Sequence, residues 1–480
     1  MKRFRVMAGA ILAAGMLCLL TGCAGKKQVL NPEAPSVITL WHAYNAFAKA
    51  AFDQKIDEFN DTVGKEKGII VEAYGYGNSD ELNRALYDSA SHLIGSEPLP
   101  NLFIAYPDSA YRLEKIAPLV ELDKYFTSQE LDLYRPEFLA EGIWEQGASP
   151  KMLPVAKSTE LLFLNETDFE RFSRDTGITE KALETWEGLA DAGRAYYEWS
   201  GGKPFMGVNG FNDFALMTAV QLGTEPFQEE QGGGMGFFYP PETAKKVWEV
   251  CYVPHIMGWY KSSTFNQDGI KSGKLAAYIG SSAGAGYFPS EVIVNEKRSY
   301  AVECRVLPYP TFEGRDGYMT QRGANMGAFA SDPVHEYAAA EFMKWFTQPE
   351  QNIGFAVSTG YIPVEKEALL SISELLKNVQ EGDNKQAVEE SVTAAVKAMG
   401  EEEFYVKKVF DNSYTAGDVF SESLWNKITM DLDEISILVQ EGESWETAAA
   451  WYAGQENFQI WYESLMDEMS VLMNGDAYEK

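Results

Sequence analysis

Between Val37 and Tyr106 the chain alternates strand-like runs with stretches of helical period, and this alternation narrows the fold more than any other feature. Val37-Ile38-Thr39-Leu40-Trp41 is apolar and β-branched, and Gly68 to Tyr74 (GIIVEAY) is a second such run. Between them Phe52, Ile56 and Phe59 recur at i, i+4 and i+7, one face of a helix. A helix is expected from Asp80 to Ile94, carrying Leu82, Leu86 and Leu93, and then a third strand from Asn101 to Tyr106. Strands separated by helices in this order build a parallel sheet with helices on its faces, so the class is α/β. Ligands of such sheets lie beyond the carboxyl ends of the strands.

Those ends carry Trp41-His42-Ala43-Tyr44-Asn45, then Gly75-Tyr76-Gly77-Asn78-Ser79, then Tyr106-Pro107-Asp108-Ser109. Each loop mixes aromatic rings with short polar side chains. A sugar-like ligand needs that mixture, because rings cover its CH faces and Asn, Asp and Ser replace the water lost by its hydroxyls. The same residues also suit a plainer role, with Trp41 and Tyr106 as core rings at strand ends and the polar groups as helix caps. At 480 residues the chain is too long for one hydrophobic core, and two lobes are expected.

Ahead of this region, Lys2, Arg3 and Arg5 precede an apolar run from Val6 to Leu20. At about 15 residues the run fits an export signal and is short for a bilayer-spanning helix. Leu20-Thr21-Gly22-Cys23 resembles the bacterial lipobox, which implies removal of residues 1–22 and lipidation of Cys23. Residues 23–36 are polar and proline-containing and read as a flexible tether.

The 71 acidic residues outnumber the 40 basic ones, for a net charge of −31, and no Lys/Arg stripe is present, which argues against a nucleic-acid partner. Of the four cysteines, Cys18 leaves with the signal and Cys23 is the lipid site, so Cys251 and Cys304 remain, compatible with one disulfide or two buried thiols. His42, His92, His255 and His335 lack metal-ligand spacing, and neither a metal nor another cofactor is expected.

Farther along, Leu153 to Asn165 reads as extended, and Thr185 as the N-cap of a helix reaching about Trp199. Gln228 to Gly236 reads as a glycine-rich surface loop, and the last 110 residues or so as mostly helical, including Val388–Ala398, Trp425–Val439 and Trp445–Met473. Gly280-Ser281-Ser282-Ala283-Gly284 matches the Gly-x-Ser-x-Gly nucleophile elbow of hydrolases. That fold needs an acid and a histidine after the serine. Only His335 follows, at an expected helix start, so no catalytic residue is assigned.

Several segments together resemble the large extracellular solute-binding family of ABC importers, which includes maltose-type and glycerol-3-phosphate-type binding proteins. They run in the family's order: ITLWHAYN from Ile38, PNLFIAYPDSAYRLEK from Pro100, LPVAKSTELLFLNETD from Leu153 and TWEGLADAGRAYYEW from Thr185. FNQDGIKSGKLAAYIGSSAG from Phe265, VLPYPTF from Val306, RGANMGAFASD from Arg322 and STGYIPVEKEAL from Ser358 follow. The resemblance implies a two-lobed periplasmic-binding-protein-like fold of type II, each lobe a mixed, mainly parallel sheet flanked by helices. Lobe I would comprise 37–156 plus 324–359 and lobe II 160–308 plus 364–480, with hinges near 154–163, 308–324 and 360–364.

It further implies a monomeric, lipid-anchored receptor, on the outer face of the plasma membrane or the periplasmic side where an outer membrane exists. The receptor would capture a sugar, oligosaccharide or polyol, with glycerol 3-phosphate as the charged alternative, and pass it to an ABC permease. Residue by residue, the glycerol-3-phosphate-type pocket falls on Ser158, Ser281, Ser282, Gly323 and Tyr361. Its first-lobe tyrosine falls on Asn78 or Ser79, and its acidic residue on Pro107 or Asp108. Its C-terminal phosphate-binding arginine has no clear counterpart in Phe404-Tyr405-Val406-Lys407-Lys408, leaving Arg322 or Lys408 as substitutes and favouring a neutral ligand. Ring stacking is expected from Trp41, Tyr44, Tyr106 and Tyr361. Hydrogen bonding is expected from Asn78, Asp108, Ser158, Glu160, Ser281, Ser282 and Asn325, with Phe211, Asn212 and Asp213 as further second-lobe candidates.

Overall fold

A computed structural model of the protein describes residues 30–145, 147–211, 213–231, 233–376 and 385–474. The expected export signal, Cys23, the expected tether up to residue 29 and Asn212 lie outside these residues. The chain begins with β1 (Ser36–His42), α1 (Ala46–Phe59), β2 (Ile69–Gly75), α2 (Ser79–Ala90), β3 (Leu102–Ala105) and α3 (Pro107–Glu114), the alternation expected from its pattern. Next come β4 (Met152–Pro154), β5 (Glu160–Asn165), α4 (Trp186–Ser200), β6 (Met206–Val208), α5 (Phe214–Gln221), β7 (Ala277–Ser281), β8 (Cys304–Leu307) and β9 (Asn325–Ala328). The main helices of the remainder are α6 (Pro333–Thr347), α7 (Pro349–Thr359), α8 (Lys385–Glu401), α9 (Ser413–Gln440), α10 (Trp445–Tyr452) and α11 (Gln455–Met473). No helix among the described residues is long and apolar enough to cross a membrane.

The two largest sheets have the orders β2-β1-β3-β9-β4 and β8-β5-β7-β6. In each, a single strand runs against the others: β9 is antiparallel to β3 and β4, and β5 is antiparallel to β7 and β8. The cause lies in the connections. β4 and β8 end where their sheets face each other, and the chain crosses from there into the other sheet. It therefore enters β5 and β9 at the facing edge and must run away from it.

Three segments make these crossings. Lys157 and Ile362 exchange backbone hydrogen bonds at 3.0 and 2.5 Å, and Ser158 and Arg322 do so at 2.9 and 2.8 Å, so the crossings are laced side by side. The lacing needs Gly323, whose φ is +90° and where a Cβ would stand 2.2 Å from the Ala156 carbonyl oxygen. Gly360 is equally constrained, with φ +77° and Ser282 O 2.5 Å from a notional Cβ. Beneath them the enclosed Lys157 ammonium pairs with Glu141, which also accepts from Asn325 Nδ2 at 3.1 Å. Breaking such a pair strands a buried charge.

Period-two alternation divides the core. Leu161 and Phe163 of β5 join an apolar cluster that spans Ile38, Ile104 and Met326 of the first sheet, Phe342 and Phe346 of α6, and Val392 of α8. Leu162 and Leu164, on the other face of β5, join α5 and the C-terminal helices α9 to α11. Trp41, Phe103, Leu82, Leu86 and Leu113 form a smaller cluster on the opposite face of the first sheet. Every residue of β3 and β5 is buried, as strands covered on both faces require.

Three sequence expectations change. The helix expected to reach Ile94 stops at Ala90, because His92 takes φ +53° and turns the exposed Leu93 and Ile94 off the helical face. The stretch Trp445–Met473 is two helices, broken at Ala453-Gly454. The expected Gln228–Gly236 loop is shorter than that stretch, because Phe227–Glu229 pairs antiparallel with Met235–Phe237. Cys251 and Cys304 are both free and buried, in different apolar clusters.

Candidate functional site

The carboxyl ends of β1, β3, β7 and β8 and the starts of β5 and β9 face one another across the crossings. Arg322, on the second crossing, occupies the middle of this interface. Its Nη1 donates to Glu160 Oε1 at the start of β5, and its Nε lies 3.4 Å from Asp213 Oδ2. Asp213 sits at the N-cap position of α5 without capping it, which leaves its carboxylate for the guanidinium. Burial opposes the Arg322 charge, yet Glu160 and Asp213 outweigh it and hold its pKa above the ordinary value. Burial also pushes Glu160 up, and Arg322 only partly offsets this. Glu160 Oε2 is enclosed without a hydrogen-bond partner among the described residues.

Tyrosine rings surround this pair. Tyr106, Tyr309 and Tyr361 all lie near enough to feel the Arg322 charge. Tyr106 is 37 % exposed, and Tyr361 stacks on Phe355 at 5.9 Å between centroids. Tyr287, exposed at the end of the turn after β7, neighbours Tyr361. Toward α9, Lys407 faces Asp213, Asp108 and Asp418; burial works against its charge, but the three carboxylates raise its pKa overall. Burial and the nearby Asp108 push Asp418 up to about 6.

The structure thus brings Tyr106, Asp108, Glu160, Asp213 and Tyr361 to one interface. Other expected residues are engaged elsewhere. Trp41 is 5 % exposed and packs on Tyr76 at 5.2 Å, and Tyr44 is held among Phe52, Phe355 and Tyr361, although its hydroxyl is buried without a partner among the described residues. Asn78 caps α2, its Oδ1 accepting from Glu81 N at 2.9 Å. Ser158 spends its backbone on Arg322, and Gly323 supplies the close approach of the crossings. Ser281 Oγ accepts from Ala283 N at 3.3 Å, while buried Ser282 accepts from Thr159 N at 3.4 Å. Asn325 is fully buried, with Oδ1 unpartnered among the described residues. Phe211 stacks on Trp425 at 5.0 Å inside the second cluster.

His335 pairs with Asp332 at the start of α6, so the histidine that a serine elbow would need is committed there. Among the described residues no group of three His, Cys, Asp or Glu side chains could hold a metal ion. Lys408, named as a substitute cation, donates to Phe227 O at 3.1 Å, and Lys407 is the one that faces the interface. Sequence reasoning missed Lys407, Asp418, Tyr287 and Tyr309. The Arg322-Gly323 pair carried the one available signal, a charge beside a glycine at a crossing.

The sequence profile described as bacterial extracellular solute-binding protein matches residues 54–382. No curated protein sequence matches the chain. Among solved structures, the cyclic alpha-maltosyl-1,6-maltose binding protein of Arthrobacter globiformis is similar over 92 % of this chain and 100 % of its own, with a TM-score of 0.64 at 17 % identity. An ABC substrate-binding protein of Listeria monocytogenes in complex with cycloalternan is similar over 91 % and 99 %, with a TM-score of 0.63 at 12 % identity. UgpB of Mycobacterium tuberculosis in complex with glycerophosphocholine is similar over 90 % and 99 %, with a TM-score of 0.60 at 18 % identity. At these identities the likeness is one of fold.

Proposed function

Because the chain belongs to the bacterial extracellular solute-binding protein family, we propose that it is the substrate-binding component of an ABC importer, capturing a carbohydrate between its two sheets and delivering it to a membrane permease. The observation that carries this reading is the Arg322–Glu160–Asp213 cluster, which joins a crossing to the start of β5 and the start of α5 under a set of tyrosine rings. Glu160 Oε2 lacks a donor, and a sugar hydroxyl supplies one. Tyr106 and Tyr361 offer ring faces for CH groups.

The charge balance favours a neutral ligand over glycerol 3-phosphate. Arg322 already serves two carboxylates, and Lys407 faces three, so a phosphate would have to compete with all of them. Relatives of the same fold that bind cyclic maltosyl-maltose and cycloalternan support a neutral sugar. Ligand contacts from both sheets would stabilise a closed arrangement, with bending at the crossings 154–163, 308–324 and 360–364. Lobe I is then 37–156 plus 324–359 and lobe II 160–308 plus 364–480. The protein acts as a monomer without catalysis, exported and held at the membrane by lipid on Cys23.

A thermal-shift panel of monosaccharides, oligosaccharides, polyols and glycerol phosphates tests the reading. A true ligand at about 100 times its Kd stabilises the fold by about 2.7 kcal/mol. No shift with any neutral sugar or polyol would refute the carbohydrate assignment, and release of product from an incubated glycan would refute the absence of catalysis. Cys23→Ala is expected to free the protein from membranes with ligand binding intact; retention in the membrane fraction would refute the anchor.

A further inference from the structure

The half of the molecule built on the first sheet also touches the half built on the second where the end of α3 meets the turn before α9. Asp411 is the meeting point. Its carboxylate pairs with the Lys115 ammonium, and its Oδ1 accepts from Tyr111 Oη at 3.0 Å. Lys115 follows the last turn of α3, and its ammonium lies 4.7 Å from the centroid of the Tyr111 ring, so ring and cation converge on one carboxylate. Between them in sequence, Arg112 lies between rings of the two halves, 5.7 Å from the Tyr87 centroid on α2 and 5.2 Å from that of Tyr414 on α9.

Each side of the contact is fixed to its own core. Ala110 and Leu113 bury α3 with Trp41 and Phe103 of the first sheet, the Tyr111 ring meets Trp144 edge-on at 5.6 Å, and Lys151 pairs with Glu114. On the other side Phe410 packs on Phe227 at 5.4 Å within the second cluster. Asn412 then takes φ +68°, a left-handed turn between the exposed Asp411 and the buried Ser413. Little backbone slack remains on either side, so parting the two halves breaks the contact.

Elsewhere the facing surfaces repel. Asp80 and Asp108 of the first half act on Asp418 of the second, in a chain whose net charge is −31, and like charges resist approach. Lys115 and Arg112 reverse this sign at the end of α3. The Lys115 side chain is 48 % exposed and that of Asp411 75 %, so dissolved salt reaches and screens their attraction.

We propose that Tyr111, Arg112 and Lys115 form a clasp with Asp411 and Tyr414, which holds the two halves together without help from a ligand and loosens as ionic strength rises. The clasp rests on the two-lobed reading above and is indifferent to which solute is captured. By favouring the closed arrangement it raises the affinity for any ligand held between the halves, by about twofold to fivefold on the usual worth of an exposed pair.

The test is small-angle X-ray scattering of the full chain without added ligand, for the wild type, Lys115→Glu, Asp411→Lys and the double swap. Each protein is measured at about 0.01 M and about 1 M salt, between which the Debye length falls from about 30 Å to about 3 Å. At low salt both single reversals are expected to raise the radius of gyration, and the swap, which restores the pair with its charges exchanged, to return it to the wild-type value. High salt should erase the differences among the four. Recovery in the swap also shows that the single variants were opened rather than misfolded. Equal radii for all four at low salt, or a swap no closer to the wild type than the singles, overturns the clasp. In that event a sugar from the thermal-shift panel that compacts any of the four shows that the lobes still hinge and that the clasp alone has failed, whereas compaction by none of them removes the hinge as well.

Discussion

Arg322 Nη1 donates to Glu160 Oε1, so the second crossing is tied to the first residue of the strand into which the first crossing leads. The Glu160 side chain is only 6 % exposed, and removing the guanidinium leaves its carboxylate buried beside Asp213. Arg322→Met is expected to lower stability at pH 7 by about 2–4 kcal/mol, and adding Glu160→Gln to restore at least half of that, since the stranded charge is gone. Urea unfolding of the wild type, both single variants and the pair measures the cycle. Equal midpoints for wild type and Arg322→Met would show that the pair contributes nothing.

Glu365 follows the third crossing and is buried; burial, with some help from Glu367, raises its carboxyl from 4.5 to about 7. The folded protein therefore keeps a proton that the unfolded chain releases between about pH 4.5 and 7. Stability falls as the pH rises through that window, and the full cost is present above it. Glu365→Gln is expected to match the wild type near pH 4 and to be more stable by about 1–3 kcal/mol at pH 8. Melting curves at the two pH values decide it, and a variant that gains nothing at pH 8 would contradict the raised carboxyl.

Gly323→Ala places a methyl group against the Ala156 carbonyl at a left-handed φ and is expected to cost more than about 3 kcal/mol, with ligand binding lost. Gly314→Ala is the control. Its φ is +68°, but a Cβ there meets nothing within 4 Å, so its cost should stay near 1–2 kcal/mol, the left-handed penalty alone. Equal losses at the two positions would mean that the close approach of the crossings is not what demands glycine.

Cys251 and Cys304 are free, and burial pushes both thiols well above their ordinary range. Neither should react with iodoacetamide in the folded protein, and both should react fully after denaturation without a reductant. Peptide mass spectrometry that found the two peptides linked would contradict this.

Much of the fold was legible because burial on both faces writes itself into a strand as an unbroken apolar run. Leu161–Leu164 fits that reason, whereas Val37–Trp41 could be read from its apolar, β-branched residues although Val37 itself is exposed. Thr185 was legible as a cap because capping is local: its Oγ accepts from Gly188 N at 3.1 Å. The site was less legible, because its electrostatics join residues far apart in the chain. Lys407 looks like a solvated lysine until Asp108, Asp213 and Asp418 are brought around it. Trp41 and Asn78 showed the opposite problem, since a ring at a strand end and a polar residue before a helix serve packing and capping as well as they serve a ligand.

The three laced crossings also set how the chain responds to a protease. A cut in the first or the second of them leaves at least one fragment that still passes between the two sheets, and the strands on either side of the cut remain paired to neighbours on that fragment. A nicked protein therefore has no route to falling into two independent halves. Its pieces must unfold in order to part, which suits a receptor working outside the cell, where no new synthesis replaces a damaged copy in place.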